Sequence, residues 1–134
     1  MPHFHSSDYQ VSFGDCDPAG IAYYPNMFRW VDKTYHDWLR GFGGHAHLCA
    51  ELGAVGLGLI DLKAQFRSPL RDGDHLQVVM IGMDWGTRSL LISYQGLVGE
   101  RLAFEAQETR GVFVQKDGRL SAAPMAALRA LAGQ

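Results

Sequence analysis

The chain predicts an α+β domain in which an antiparallel sheet packs against one long helix. Three observations carry this reading: a single amphipathic stretch of about four turns near the N-terminus, a series of alternating apolar segments after it, and turn residues between those segments. The length of 134 residues, 47% of them hydrophobic, suits one compact domain and is too short for two. With no repeat, low-complexity tract or charged linker, residues 1–134 read as a single domain.

The first strand is read from "DYQVSFG", where Tyr9, Val11 and Phe13 alternate onto one face. A turn follows, and then "YPNMFRWVDKTYHDWLRGFGG". Here Met27, Val31, Thr34, Tyr35, Trp38 and Leu39 recur at three- and four-residue intervals, the period of a helix with one buried face. Pro25 suits its first position and the glycines from Gly41 onward suit its end. "HAHLCAELGA" leaves two readings open, a short helix or a polar loop. Strands are expected at Leu57–Arg67, His75–Asp84, Ser89–Val98 and Ala103–Gln115, separated by "SPLRDGD", "DWGTR" and "VGERL". "KDGRL" reads as a late turn or bulge, and "SAAPMAALRALAG" as a short closing helix.

Composition removes several function classes. A formal charge of −2 gives no electrostatic case for nucleic acid. No apolar run approaches the roughly 18 residues of a membrane span. "MPHFHSSDYQ" lacks the basic start and apolar core of a secretory leader. Two cysteines, Cys16 and Cys49, make neither a disulfide framework nor a zinc spacing. The expectation is a cytoplasmic protein with reduced thiols and no metal or redox cofactor. His45 and His47 alternate with Cys49 and Glu51, but without a second cluster they read as polar surface. His3 and His5 are assigned to a frayed terminus. "GLGLID" lacks the strand–turn–helix setting and full glycine spacing of a dinucleotide fingerprint. Trp30, Tyr35 and Trp38 read as core or interface aromatics, and Arg67, Arg71 and Arg88 as largely solvated strand-end residues.

The stretch with chemistry in it is "GDCDPAGIAYYPN", Gly14–Asn26. Asp17-Pro18-Ala19-Gly20 fits a type I turn, with Asp first, Pro second and Gly fourth. A calcium loop is excluded because Ala19 stands where a ligand belongs and Asn26 where a bidentate Glu should be. A nucleophilic Cys16 is disfavoured by the carboxylate on each side of it. A catalytic carboxylate remains alongside the purely structural corner. If the strand runs on to Asp17, then Asp15 and Asp17 share a face. The turn also delivers the chain to a helix start. Pro25 has no N–H, so the expected free donors there are Tyr24, Asn26 and Met27, and a helix start favours a developing oxyanion.

Together with "GAVGLGLIDLKAQF", the run "FGDCDPAGIAYYPN" resembles the hotdog-fold acyl-CoA thioesterases of the 4-hydroxybenzoyl-CoA thioesterase type. The resemblance extends from about Tyr9 to Leu120. It implies a curved antiparallel sheet wrapped around the long helix, pairing of two subunits into one continuous sheet with active sites at their interface, and a homodimer or homotetramer. It implies hydrolysis of an acyl-CoA substrate, with Asp17 as nucleophile or general base. The Tyr24 backbone N–H would then be the donor to the thioester carbonyl, and Arg88 a contact to coenzyme A phosphates. Tyr23 stands where the family can have Trp, His45 where another aromatic can occur, and Leu57 where a small polar residue is expected, which leaves the acyl group open between aryl and short-chain esters. A hotdog hydratase or dehydratase and a silent acyl-CoA binding module are the alternatives.

Overall fold

The computed structural model describes residues 4–134. The elements run β1 (His5–Gln10), α1 (Pro25–Arg40), α2 (His45–Leu52), β2 (Gly56–Phe66), β3 (His75–Trp85), β4 (Leu90–Val98), β5 (Arg101–Lys116), β6 (Arg119–Ala123) and α3 (Ala126–Leu131). All pairings are antiparallel, in the order β1-β3-β4-β5-β2, with β6 on the far half of β5. The sheet and single long helix expected from the sequence are present. So are the four central strands, each within two residues of its expected bounds.

Helix α1 buries Trp30, Val31, Thr34, Tyr35, Trp38 and Leu39, the apolar stripe its periodicity dictates. That stripe meets the inward faces of the strands through Leu76, Val78 and Met80 of β3, Leu90, Ile92 and Tyr94 of β4, and Phe104 and Ala106 of β5, all essentially closed to solvent. Strand β1 fixes the helix by hydrogen bonds as well. Ser7 Oγ donates to Asp37 Oδ2 at 2.8 Å, and the Tyr9 hydroxyl meets Thr34 Oγ1 at 3.0 Å.

Four expectations need correction or completion. The first strand is β1, His5–Gln10, so His5 is a strand residue bonded to Ser7 at 3.1 Å, not part of a frayed end; His3 lies outside the described residues. The strand stops short of Phe13 because "SFGD" closes on itself. The Asp15 N–H donates to Ser12 O at 2.9 Å and the Ser12 N–H donates to Asp15 Oδ2 at 2.8 Å, so local bonds replace ladder bonds. Phe13 is left 80% exposed. The stretch from His45 is a helix, ended by Gly53 in the left-handed region at φ 63°. Finally, "KDGRL" is a tight hairpin: Asp117 and Gly118 both take positive φ, 53° and 74°, as a two-residue type I′ loop requires, and it sends β6 back along β5.

Candidate active site

The chain enters the corner at the Cys16–Ala22 bridge and turns between them. The Gly20 N–H donates to Asp17 O and the Asp17 N–H to Ile21 O, each at 2.9 Å, and Gly20 sits at φ 79°. The expected turn at Asp17–Gly20 is therefore made. The Asp17 carboxylate takes part through one oxygen only: Oδ1 accepts the Ala19 N–H at 2.9 Å, while Oδ2 has no partner among the described residues. One oxygen orients the side chain and the other is free to act.

Asp15 differs. Besides accepting the Ser12 N–H through its carboxylate, its carbonyl accepts the Tyr23 N–H at 2.8 Å and Asn26 Nδ2 at 2.7 Å. It is a bracket between the turn and the helix start, and the shared strand face expected for Asp15 and Asp17 is not formed.

The helix start also narrows. Of the three free donors expected, the Asn26 N–H donates to Tyr23 O at 2.9 Å and the Met27 N–H to Tyr24 O at 3.1 Å. The Tyr24 N–H has no acceptor among the described residues. Tyr24 is itself helical, at φ −55° and ψ −33°, where a capping residue is ordinarily extended. Its N–H therefore joins the first-turn donors, where the positive end of the helix dipole adds to the hydrogen bond.

Asp17 and Tyr24 line one cavity of about 630 Å³. Its wall is mostly apolar, from Ile21, Met27, Phe66 and Leu70, and Arg71 stands on it as well. A carboxylate oxygen without a partner and an N–H without an acceptor, on two residues that line one cavity, can act on the carbon and the oxygen of one carbonyl if both are aimed into it.

The other residues singled out from the sequence fall elsewhere. Arg88 does not line this cavity on its own chain; its Nη1 donates to Ala122 O at 2.7 Å, beside β6. His45 Nε2 accepts the Leu57 N–H at 3.2 Å, which joins α2 to β2, and the Leu57 side chain is core. Tyr23 is half exposed and touches Tyr24 edge-on. Sequence reading missed Phe66 and Arg71 as cavity residues, because only the pairing of the loop after β2 with the corner brings them there.

A second polar group lies under the middle of α1. Tyr94 donates to Glu108 Oε1 at 2.6 Å, and Arg110 donates to both Glu108 oxygens at 3.1 and 2.6 Å and to Asp32 Oδ1 at 2.9 Å. The guanidinium lies 4.0 Å from the centre of the Tyr35 ring. Glu108 and Arg110 are 1% and 3% exposed. Burial, with Glu108 beside it, lifts the Tyr94 hydroxyl well above its ordinary range. For Arg110, burial works to remove the charge, but the Glu108 bonds and charge outweigh it and the net shift is upward.

The sequence matches the thioesterase-like superfamily over residues 11–131. A 4-hydroxybenzoyl-CoA thioesterase of Pseudomonas sp. strain CBS-3 is 31% identical over 116 residues, 81% of this chain and 82% of that protein. A 1,4-dihydroxy-2-naphthoyl-CoA hydrolase of Trichodesmium erythraeum is 28% identical over 90 residues, 67% of this chain and 65% of that one. Among solved structures, an aspartate-to-asparagine variant of 4-hydroxybenzoyl-CoA thioesterase in complex with 4-hydroxybenzoyl-CoA superposes with a TM-score of 0.84. It is 25% identical, with 95% of this chain and 96% of that chain covered. Fold and relatives together define a hotdog thioesterase that hydrolyses CoA thioesters. The chain belongs to the thioesterase-like superfamily.

Proposed function

We propose that the enzyme hydrolyses an aryl- or short-chain acyl-CoA to the free acid and CoA at the Asp17–Tyr24 cavity. The observation that carries this is the joint lining of one cavity by Asp17, which keeps an uncommitted carboxylate oxygen, and Tyr24, which keeps an uncommitted backbone N–H. The Tyr24 N–H receives the thioester oxygen as negative charge builds on it. Asp17 Oδ2 either attacks the carbonyl carbon, expelling CoA thiolate and leaving a mixed anhydride for water to cleave, or removes a proton from an attacking water. The apolar wall takes the acyl carbons, and Tyr24 and Phe66 offer ring faces to an aryl group.

We infer further that the working unit is a homodimer or a dimer of dimers in the cytoplasm. What supports assembly is β2, an 11-residue outer strand that exposes Leu59, Ile60 and Phe66 and, among the described residues, pairs along one edge only, leaving the other for a second copy. Arg88, outside the cavity of its own chain, would then contact CoA phosphates in a site completed by the neighbouring subunit. Two free thiols, Cys16 and Cys49, suit a reducing compartment.

The test is a thiol-release screen over benzoyl-, hydroxybenzoyl-, phenylacetyl- and short aliphatic CoA esters. Thiol release concentrated in one of these classes is the expected result. Absence of release from all of them would overturn the substrate assignment.

A further inference from the structure

The basic residues around the cavity differ in whether their charge is already answered. Arg67 donates twice to Glu105 Oε2, at 2.8 and 3.2 Å. Arg101 donates to Ser68 Oγ, Pro69 O and Asp74 Oδ2 at 2.8, 2.7 and 3.3 Å. Arg71 lines the cavity, and its guanidinium has no hydrogen bond or ion pair among the described residues. Asp74 does not answer it. That carboxylate accepts the Arg71 backbone N–H at 2.8 Å and is paired with Arg101. Asp72, next in the chain, makes no ion pair with it either.

The stem beneath this free head group is fixed. The Ala22 N–H donates to Leu70 O at 2.7 Å, which joins the residue before Arg71 to the segment between Asp17 and Tyr24. The Gly73 N–H donates to Val11 O at 2.7 Å, the Val11 N–H to Asp74 O at 2.9 Å, and the Asp74 N–H to Arg71 O at 3.0 Å. Leu70 is buried at 2% exposure, while Arg71 itself is exposed. A well-bonded backbone therefore carries one exposed, unpaired cation on a residue of the same cavity that Asp17 and Tyr24 line.

We propose that Arg71 binds a phosphate of the CoA portion of the substrate, so that the loop between β2 and β3 forms part of the nucleotide-side grip. This rests on the Asp17–Tyr24 cavity being the thioester site. With the carbonyl between Asp17 and Tyr24, the apolar wall suits the acyl group and the exposed rim suits the charged end of the same molecule. A guanidinium presents a planar fork of donors that matches phosphate oxygens two at a time, and an unpaired one gives up no internal bond to do so. A carboxylate on the acyl chain is the other anion that could meet it.

The experiment measures kcat and KM of the wild type, Arg71→Ala and Arg71→Lys on a hydrolysed acyl-CoA and on the pantetheine thioester of the same acyl group, which carries no phosphate. Arg71→Ala is expected to raise KM for the CoA ester about tenfold with kcat unchanged, the mark of binding shared by ground and transition states. Arg71→Lys should fall between, added salt should narrow the gap, and KM for the pantetheine ester should not move. Equal KM increases on both esters, or none on either, overturn the proposal, as does an increase confined to acyl groups that bear a carboxylate. A wild type that releases thiol from no CoA ester of the screen, so that no such substrate can be chosen, overturns the substrate reading of the cavity instead. Unchanged melting temperatures of both variants separate lost binding from lost folding.

Discussion

The corner at Asp17 and the network under α1 both combine carboxylates with hydrogen-bond donors, yet they differ in what is left over. In the network, Glu108 accepts from Tyr94 and twice from Arg110, and Arg110 Nη2 also donates to Asp32. At the corner, Asp17 keeps one oxygen free, and the Tyr24 N–H and the Arg71 guanidinium have no partner among the described residues. The Glu108 carboxylate, with both oxygens bonded, and the Arg110–Asp32 pair hold the helix on the sheet. Unsaturated groups at a cavity are free to meet a substrate. Residue type alone does not separate the two carboxylates; whether both oxygens are already bonded does.

Four substitutions can break or sharpen that contrast. The largest effect belongs to Asp17→Asn, whose amide is neither nucleophile nor base. It should lower kcat by about 1000-fold with KM within about threefold, read by thiol release under saturating substrate. Next comes Glu108→Ala, which leaves a buried guanidinium without its main partner. It should destabilise the fold by about 3–5 kcal/mol in denaturant titration, while kcat per folded molecule stays near wild type. If Glu108→Ala abolished turnover in fully folded enzyme, the division of labour between the two regions would be wrong.

Asp15→Asn tests the contrast inside the corner itself. Asp15 holds a turn through its carboxylate and the helix start through its carbonyl, so only the Ser12 bond weakens. The expected cost is about 1 kcal/mol of stability, with kcat changed less than about threefold. The smallest effect is on pH dependence. Burial lowers the affinity of His36 for a proton, and the net shift stays downward although Asp32 opposes it; Arg110 and His45 lower it further and Glu108 raises it. The unfolded chain takes up that proton near the ordinary value of 6.5, before the folded protein does. Stability should therefore decline as pH falls through that value. His36→Gln should flatten the decline in melting temperature as the pH is taken from above that value to below it.

Much of this was legible from the chain. The three- and four-residue spacing from Met27 to Leu39, with Pro25 before it and glycines after it, specifies α1 because the same stripe that makes a helix amphipathic also meets the sheet. Alternation and turn residues located β2 to β5. What was not legible depends on long-range partners or on local competition. "SFGD" looks like the end of a strand, but Ser12 and Asp15 bond to each other more readily than to a neighbour. Strand β6 has a mixed sequence and exists because the positive-φ pair Asp117-Gly118 folds it back on β5. The corner was readable as a motif, but the separation of Asp15 from Asp17, and of Tyr24 from Asn26 and Met27, needed the hydrogen bonds. Arg71 was hidden because only the Ala22–Leu70 bond brings its loop to the cavity.

The central claim, that the Asp17 side chain and the Tyr24 amide act on the same carbonyl, is tested most directly by a crystal structure of Asp17→Asn with an intact acyl-CoA bound. The account predicts the thioester oxygen at about 3 Å from the Tyr24 nitrogen, with its carbon facing the substituted side chain at position 17. A thioester held in another cavity, or with its oxygen turned away from Tyr24, would contradict it.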